Sequence, residues 1–170
     1  MPDRVKQTIF DMLGSRFDCP GALPPLLVAD VFAGGGSMGL EALSRGAGFC
    51  TFFERDREAL EALRGNIETL DAGPESRIVP GDAWRALMTT PDGRPFALIF
   101  LDPPYRECED ITEHGEVRRF LRRLADGPAA EGLVVLHHPA GTRFALTEDD
   151  RWEVEEERRI GSNAVTFFAQ

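Results

Sequence analysis

Short apolar runs alternate along this chain with stretches whose apolar residues recur at helical spacing, a pattern that predicts strands buried beneath helices. Residues 26–31 (Leu-Leu-Val-Ala-Asp-Val), 49–54, 77–80, 96–101 and 132–138 read as five strands, with little of the apolar–polar alternation of a half-exposed sheet. Helical faces lie around and between them. Val5, Ile9, Met12 and Leu13 share one face of 3–13, with Asp3 the expected N-cap. Helix formers resume at 40–43, after a cluster of glycines. Leu60, Leu63, Ile67 and Leu70 form a second stripe, opened by Asp56 and closed by Asp71-Ala72-Gly73-Pro74. A helix bearing Trp84, Leu87 and Met88 is expected after Gly81-Asp82-Ala83, and another carries Val117, Phe120, Leu121 and Leu124 inward. Residues 17–25, rich in proline and glycine, read as a loop, and the polar 106–116 (Glu107, Glu109, Asp110, Glu113, Glu116) as a mobile loop over a site. Toward the end, 152–160 alternates weakly, placing Glu153, Glu155 and Glu157 on one face, and 164–169 is apolar. Gly161-Ser162-Asn163 between them signals a tight turn and an antiparallel hairpin at the sheet edge. The expected fold is α/β: a doubly wound, mostly parallel seven-stranded sheet with a C-terminal antiparallel hairpin. It is read as a single domain, with 1–25 giving the N-terminal helix and loop and 26–170 the core.

Composition narrows the class. A chain of 170 residues can bury a full core. It has no run of about 18 apolar residues and no charged-then-apolar leader pattern, so a soluble, cytoplasmic protein is expected. Cys19, Cys50 and Cys108 lack C-x-x-C spacing and read as reduced thiols. The net charge of −10 and pI near 4.8 run against a broadly basic nucleic-acid surface, so RNA or DNA would have to be met by a local patch. The most basic stretch is Arg118, Arg119, Arg122 and Arg123, in adjacent pairs one turn apart, which either meet phosphates or pair with nearby acids.

Two motifs carry chemistry. In the first, Asp30-Val31-Phe32-Ala33-Gly34-Gly35-Gly36-Ser37-Met38-Gly39, a strand turns over glycines into a helix. Gly34, Gly36 and Gly39 are expected in that turn, where glycine reaches positive φ and lets backbone approach a ligand at a helix N-terminus. Their spacing also fits the dinucleotide fingerprint G-x-G-x-x-G, with Glu54 at 20 residues past Gly34, so nicotinamide and S-adenosylmethionine sites both stay open. Asp30 tilts the balance, because its carboxylate would repel a pyrophosphate but suits the amino group and sulfonium of S-adenosylmethionine. The second motif is Asp102-Pro103-Pro104-Tyr105, which ends the fourth apolar run. An exocyclic amine on a nucleobase is a poor nucleophile because its lone pair is delocalised into the ring. Asp102 and the Pro103 carbonyl can each accept one N–H and aim the lone pair, the two prolines fix that geometry, and Tyr105 offers a ring for the base to stack on. His137-His138 invites a metal, but adjacent strand residues point to opposite faces and no third ligand lies close by, so no metal is expected.

Residues 30–47 (Asp-Val-Phe-Ala-Gly-Gly-Gly-Ser-Met-Gly-Leu-Glu-Ala-Leu-Ser-Arg-Gly-Ala), Phe53-Glu54-Arg55-Asp56, Leu101-Asp102-Pro103-Pro104-Tyr105 and 3–10 (Asp-Arg-Val-Lys-Gln-Thr-Ile-Phe) together resemble the RsmD-type bacterial methyltransferases. The resemblance runs from Asp3 to nearly the last residue. It implies a class I methyltransferase fold, S-adenosylmethionine as cofactor, and methylation of the N2 amine of a guanine in 16S ribosomal RNA, met in the small subunit or its assembly intermediate. For the cofactor it implies Asp30, Phe32, Ala33, Gly34, Gly36, Gly39, Glu54 on the two ribose hydroxyls, Arg55, Asp82 and the Ala83 amide at the adenine, and Asp102. An N-cap role competes for Asp82. For the acceptor it implies Asp102, Pro103, Pro104 and Tyr105, and for RNA it leaves Arg4, Lys6, Arg106, Arg118 and Arg122. Family members carry a basic Arg-Pro element and an N-terminal hairpin ahead of the first helix, whereas this sequence opens at Met1-Pro2-Asp3, which lowers the RNA affinity expected of it. Rival readings are an adenine- or cytosine-directed DNA amine methyltransferase, a noncatalytic cofactor-binding, ribosome-interacting module, and, last, a nicotinamide oxidoreductase, which leaves 102–105 unexplained.

Overall fold

A computed structural model describes residues 1–108, 114–129, 131–142, 144 and 146–170. Glu109, Asp110 and Glu113, from the expected mobile loop, lie outside them. The described residues hold seven strands of mixed, mostly parallel pairing, and the chain divides into two compact units, Met1–Ala86 and Leu87–Gln170.

The first unit runs α1 (Asp3–Arg16), β1 (Leu27–Val31), α2 (Ser37–Ser44), β2 (Phe49–Glu54), α3 (Arg57–Thr69) and β3 (Ser76–Pro80). Its strands lie in the order β3-β2-β1, all parallel, with Asp30 opposite Phe52 and Glu54 opposite Pro80. Continuous burial along β1 and β2, ending in the fully buried Phe52 and Phe53, is what a parallel strand covered on both faces requires. Asp56 caps α3, its carboxylate accepting the Ala59 N–H at 2.8 Å. Leu60, Leu63 and Ile67 are buried there as expected, while Leu70 ends up 62% exposed past the last turn.

Three local expectations change here. Asp3 is the first helical residue of α1 and Pro2 the cap, so Asp3 acts on the helix dipole and makes no capping bond. The helix also runs on to Arg16 and buries Phe10 and Gly14 beside Val5, Ile9 and Leu13, leaving Met12 half-buried. Third, the helix expected after Ala83 is absent: 83–88 is a single turn, and Leu87 is 80% exposed. The β-branched pair Thr89-Thr90 ahead of Pro91 disfavours propagation, and the Trp84 ring turns back onto Phe32, centroids 4.7 Å apart.

The second unit holds β4 (Leu98–Leu101), α4 (Glu116–Ala125), β5 (Leu133–Pro139), β6 (Glu153–Ile160) and β7 (Asn163–Ala169), in the strand order β4-β5-β7-β6. β4 and β5 are parallel, and β7 is antiparallel to both its neighbours, so the expected hairpin is there, turning at Gly161-Ser162. α4 buries Val117, Phe120, Leu121 and Leu124. β6 is exposed along nearly its whole length and bears Glu153, Glu155, Glu156, Glu157, Arg158 and Arg159, charges that guard an edge strand against pairing with another chain. The register skips Glu155, which bulges between Val154 and Glu156. This extra residue reverses the alternation, so Glu153 and Glu157 face opposite sides of the sheet and do not share the expected face. Residues 106–108, expected in the mobile loop, join Tyr105 in one 3-10 turn with Cys108 buried. No helix of the described residues is long and apolar enough to cross a membrane.

Candidate active site

The glycine turn is built at the end of β1. Phe32, Gly34 and Gly36 have φ of 64°, 55° and 84°, and Gly36 caps α2. Gly39, expected in the turn, is instead the third residue of α2, where a Cβ would come within 2.4 Å of the Phe52 ring. Its role is close packing of helix on strand. A Cβ on Gly36 would strike Leu63 at 2.4 Å, whereas one on Gly34 would meet nothing within 4 Å. Gly34 is therefore where the turn presents bare backbone to open space, as a ligand approaching along the strand end requires.

Polar side chains hold this turn from several sides. Asp30 is buried, and its Oδ2 accepts the Gly39 N–H at 2.8 Å, setting a carboxylate against the positive end of α2. Glu54, at the end of β2, accepts the Gly34 N–H on Oε2 at 2.7 Å and the Arg55 and Asp56 N–H groups on Oε1 at 2.7 and 2.8 Å. Both acids thus shape the turn as well as facing it, and a carboxylate has about four acceptor sites to divide between such tasks. Asn66 donates to the Gly35 carbonyl at 2.8 Å, and Lys6 to the Ser37 hydroxyl at 3.3 Å. Asn66 escapes sequence reasoning because nothing local marks it, and Lys6 reads in sequence as either a phosphate contact or part of a solvated helix face. Ala33 and Ala83 are buried and Arg55 is exposed. Asp82 Oδ1 accepts the Trp84 N–H at 3.1 Å and closes a turn, and the N-cap role that competed for it finds no helix after Ala83 to cap. Burial, then the Asp30 charge, pushes the Cys50 thiol well above its usual value, so it stays protonated.

In the second unit, Asp102 follows β4 directly, and the Pro104 carbonyl accepts the Glu107 N–H at 2.8 Å, so the motif runs straight into its 3-10 turn. Pro103 is buried and Pro104 exposed. Tyr105 is 44% exposed, which leaves ring surface for stacking. Asp102 Oδ1 lies 2.6 Å from Nδ1 of His137, a β5 residue that sequence reasoning weighed only as a metal ligand. The ring's Nε2 lies 3.0 Å from Asn163 Oδ1 and 3.3 Å from the Tyr105 hydroxyl, which itself donates to Asn163 Oδ1. The signal available for His137 was a polar residue closing an otherwise apolar strand. His138, pointing the other way, meets the Thr166 hydroxyl at 2.8 Å. Burial, then the Asp102 charge, raises both the Tyr105 hydroxyl and the Cys108 thiol, the latter to about 12, so both stay protonated at neutral pH.

The arginines divide. Arg118 is 9% exposed and grips the fully buried Asp150 with both Nε and Nη2, at 2.9 and 2.7 Å, and Arg122 joins it at 2.6 Å. Of these two, proposed from sequence to contact RNA, Arg118 is buried against Asp150 and Arg122 is half-buried beside it, because a buried carboxylate must be paired. Arg119 is exposed beside Glu116, Arg106 beside Glu107, and Arg4 lies on the open side of α1.

The family model described as Conserved hypothetical protein 95 matches residues 1–169. Ribosomal RNA small subunit methyltransferase D of Escherichia coli (strain K12) is 39% identical over 98% of this chain and 76% of its own length. YlbH of Bacillus subtilis (strain 168), provisionally named an rRNA methyltransferase, is 42% identical over 62% of this chain, which spans about half, 54%, of that relative. The solved structure of yhhF from Escherichia coli, provisionally a methyltransferase, has a TM-score of 0.75 and 29% identity, covering 99% of this chain and 85% of that one. A match running the length of the chain settles the family: this protein is a member of the RsmD-type methyltransferases, described as Conserved hypothetical protein 95.

Proposed function

We propose that this protein is an S-adenosylmethionine-dependent RNA methyltransferase acting in the cytoplasm on the exocyclic N2 amine of a guanine in 16S ribosomal RNA, met in the small subunit or an assembly intermediate. The observation that carries the reading is the Asp102-Pro103-Pro104-Tyr105 turn at the end of β4, its carboxylate tied to a buried imidazole. The names of the E. coli and B. subtilis relatives, both of which refer to rRNA methylation, support the substrate class.

The first unit's residues suit the cofactor. Gly34 presents open backbone, Asp30 and Glu54 put negative charge at the strand ends, and Phe32, Trp84, Asp82 and Ala83 flank them with apolar and hydrogen-bonding surface. Glu54 would take the ribose hydroxyls, Asp82 and the Ala83 amide the adenine, and Asp30 the amino end, with Ala33 and Gly36 shaping the turn, Gly39 seating α2 against β2 behind it, and Arg55 at the rim. S-Adenosylmethionine supplies a methyl group activated by a positively charged sulfur. The remaining work falls to the acceptor turn. Tyr105 receives the unstacked guanine on its exposed ring. Asp102 and the Pro103 carbonyl accept the two N2 hydrogens and direct the lone pair, which forms the new N–C bond as the C–S bond breaks. The nitrogen then releases one proton to water, and the Asp102 carboxylate favours the positive charge that develops on nitrogen in the transition state. Arg4 and Arg106, exposed, are the retained candidates for phosphate contact, with Lys6 at the edge of the glycine turn.

The test is single-turnover methyl transfer to 16S RNA, naked and within the small subunit, at saturating cofactor, with mass-spectrometric mapping of the modified base. Asp102→Ala should bind cofactor normally and lose on the order of 10²- to 10³-fold in rate. Retention of more than about a tenth of the wild-type rate refutes the assigned role, and methyl groups on adenine or cytosine instead of guanine refute the substrate.

A further inference from the structure

Asp102 and Tyr105 belong to one turn, but what holds them comes from strands distant in sequence. His137 is 2% exposed, in a strand otherwise apolar but for His138 and the closing Pro139. Burying an imidazole there carries a desolvation cost that polar partners must offset. Both ring nitrogens face functional groups. Nδ1 faces Asp102 Oδ1 at 2.6 Å, and because an ionised carboxylate only accepts, Nδ1 is the protonated donor. Nε2 faces Asn163 Oδ1 at 3.0 Å and the Tyr105 hydroxyl at 3.3 Å, and the Tyr105 and His137 rings stand edge-on with centroids 5.6 Å apart. Asn163 opens β7 straight after the hairpin turn, and the register that sets it opposite Pro139 and Val165 opposite His137 brings its amide to the ring. Four side chains, from the end of β4, the 3-10 turn, β5 and β7, close into one hydrogen-bonded cluster.

We propose that His137, steadied by Asn163, is the positioning residue of the acceptor site: it fixes the Asp102 carboxylate and the Tyr105 ring relative to each other. The proposal rests on the methyltransferase reading above. Lone-pair alignment is directional, so a carboxylate free to swing about its two side-chain torsions, or a stacking ring free to tilt, would misplace the amine; a displacement of about 1 Å costs on the order of 10²-fold in rate. The C-terminal hairpin thereby becomes part of the reacting site through Asn163.

Two substitutions separate positioning from mere support. His137→Leu removes both nitrogens at similar bulk, whereas His137→Asn keeps an N–H near the place of Nδ1. In single-turnover transfer to 16S RNA at saturating cofactor, with melting temperature and cofactor affinity measured alongside, His137→Leu should fall on the order of 10- to 100-fold with cofactor affinity unchanged. His137→Asn should be the faster variant, by about threefold or more, although the less stable. A structural role predicts the opposite order, because a buried amide in an apolar strand folds worse than leucine. Should neither variant fold, Asn163→Ala at the half-buried turn decides, with a loss of about tenfold expected. Wild-type rates in His137→Leu or Asn163→Ala, or leucine outpacing asparagine, overturn the proposal while leaving the methyltransferase reading intact. Failure of the unmodified protein to methylate RNA overturns that reading, and this role with it.

Discussion

Replacing Gly39 by alanine should destabilise the protein even though alanine is the better helix former. A Cβ at that position would lie 2.4 Å from Phe52 Cε1, 2.5 Å from Cys50 Sγ and 2.9 Å from Phe52 Cζ. Phe52 and Cys50 are fully buried on β2, so neither can swing into solvent, and α2 has to back away. Backing away stretches the 2.8 Å bond from the Gly39 N–H to Asp30. Helix propensity favours alanine by roughly 1 kcal/mol, overpacking costs roughly 1–3 kcal/mol, and a hydrogen bond to a charged group contributes roughly 1.5–3 kcal/mol. The net loss is about 1.5–5 kcal/mol, a fall in Tm of roughly 3–20 °C for a chain of this size. Gly65, exposed on α3 with nothing within 4 Å of its would-be Cβ, is the internal control. Gly65→Ala keeps the propensity gain without the clash and should raise Tm by about 2–4 °C. Thermal and urea unfolding of the three proteins reads both signs. A Gly39→Ala protein that unfolds at or above the wild-type temperature refutes the packing argument.

Asp150 offers a pH test. Burial alone would raise its pKa, but hydrogen bonds from Arg118, the Thr147 amide and Arg122 outweigh burial and hold the carboxylate well below its usual range. A depressed folded-state pKa means stability that is fully present above the unfolded value of about 3.9 and lost as pH falls below it. Asp150→Asn should therefore cost on the order of 3–5 kcal/mol at neutral pH, and the gap to wild type should narrow toward about pH 3; urea unfolding showing a constant gap refutes this. S-Adenosylmethionine or its demethylated product should raise Tm, by about 2.7 kcal/mol of added stability at a hundredfold excess over Kd, while NAD and NADP should not; a shift with NAD alone sinks the cofactor assignment. Glu54→Ala should shrink that ligand-induced shift and also lower the ligand-free Tm, because it releases the Gly34, Arg55 and Asp56 N–H groups; an unchanged shift means Glu54 does not hold the ribose.

The strands and the chemistry-bearing turns were legible because both are local. Strands buried on both faces demand uninterrupted apolar runs, and these came out as β1, β2, β4 and β5 within a few residues of their expected limits, with the part-buried β3 beside them. Glycine and proline restrict φ residue by residue, so the turns at 34–36 and 102–105 could be placed from identity alone. Tertiary structure decided what depends on partners distant in sequence. Trp84 folds back on Phe32 and no helix follows Ala83. Gly39 sits inside α2 because Phe52 needs the space. Arg118 and Arg122 look like a basic surface in sequence until Asp150, 32 and 28 residues away, pairs with both. His137 reads as a stray histidine until Asp102 and Asn163, 35 and 26 residues off, are brought against its two nitrogens. Propensity and periodicity report each residue's own preference, whereas the pairing of buried polar groups is settled by whichever partners the packed chain brings within about 3 Å.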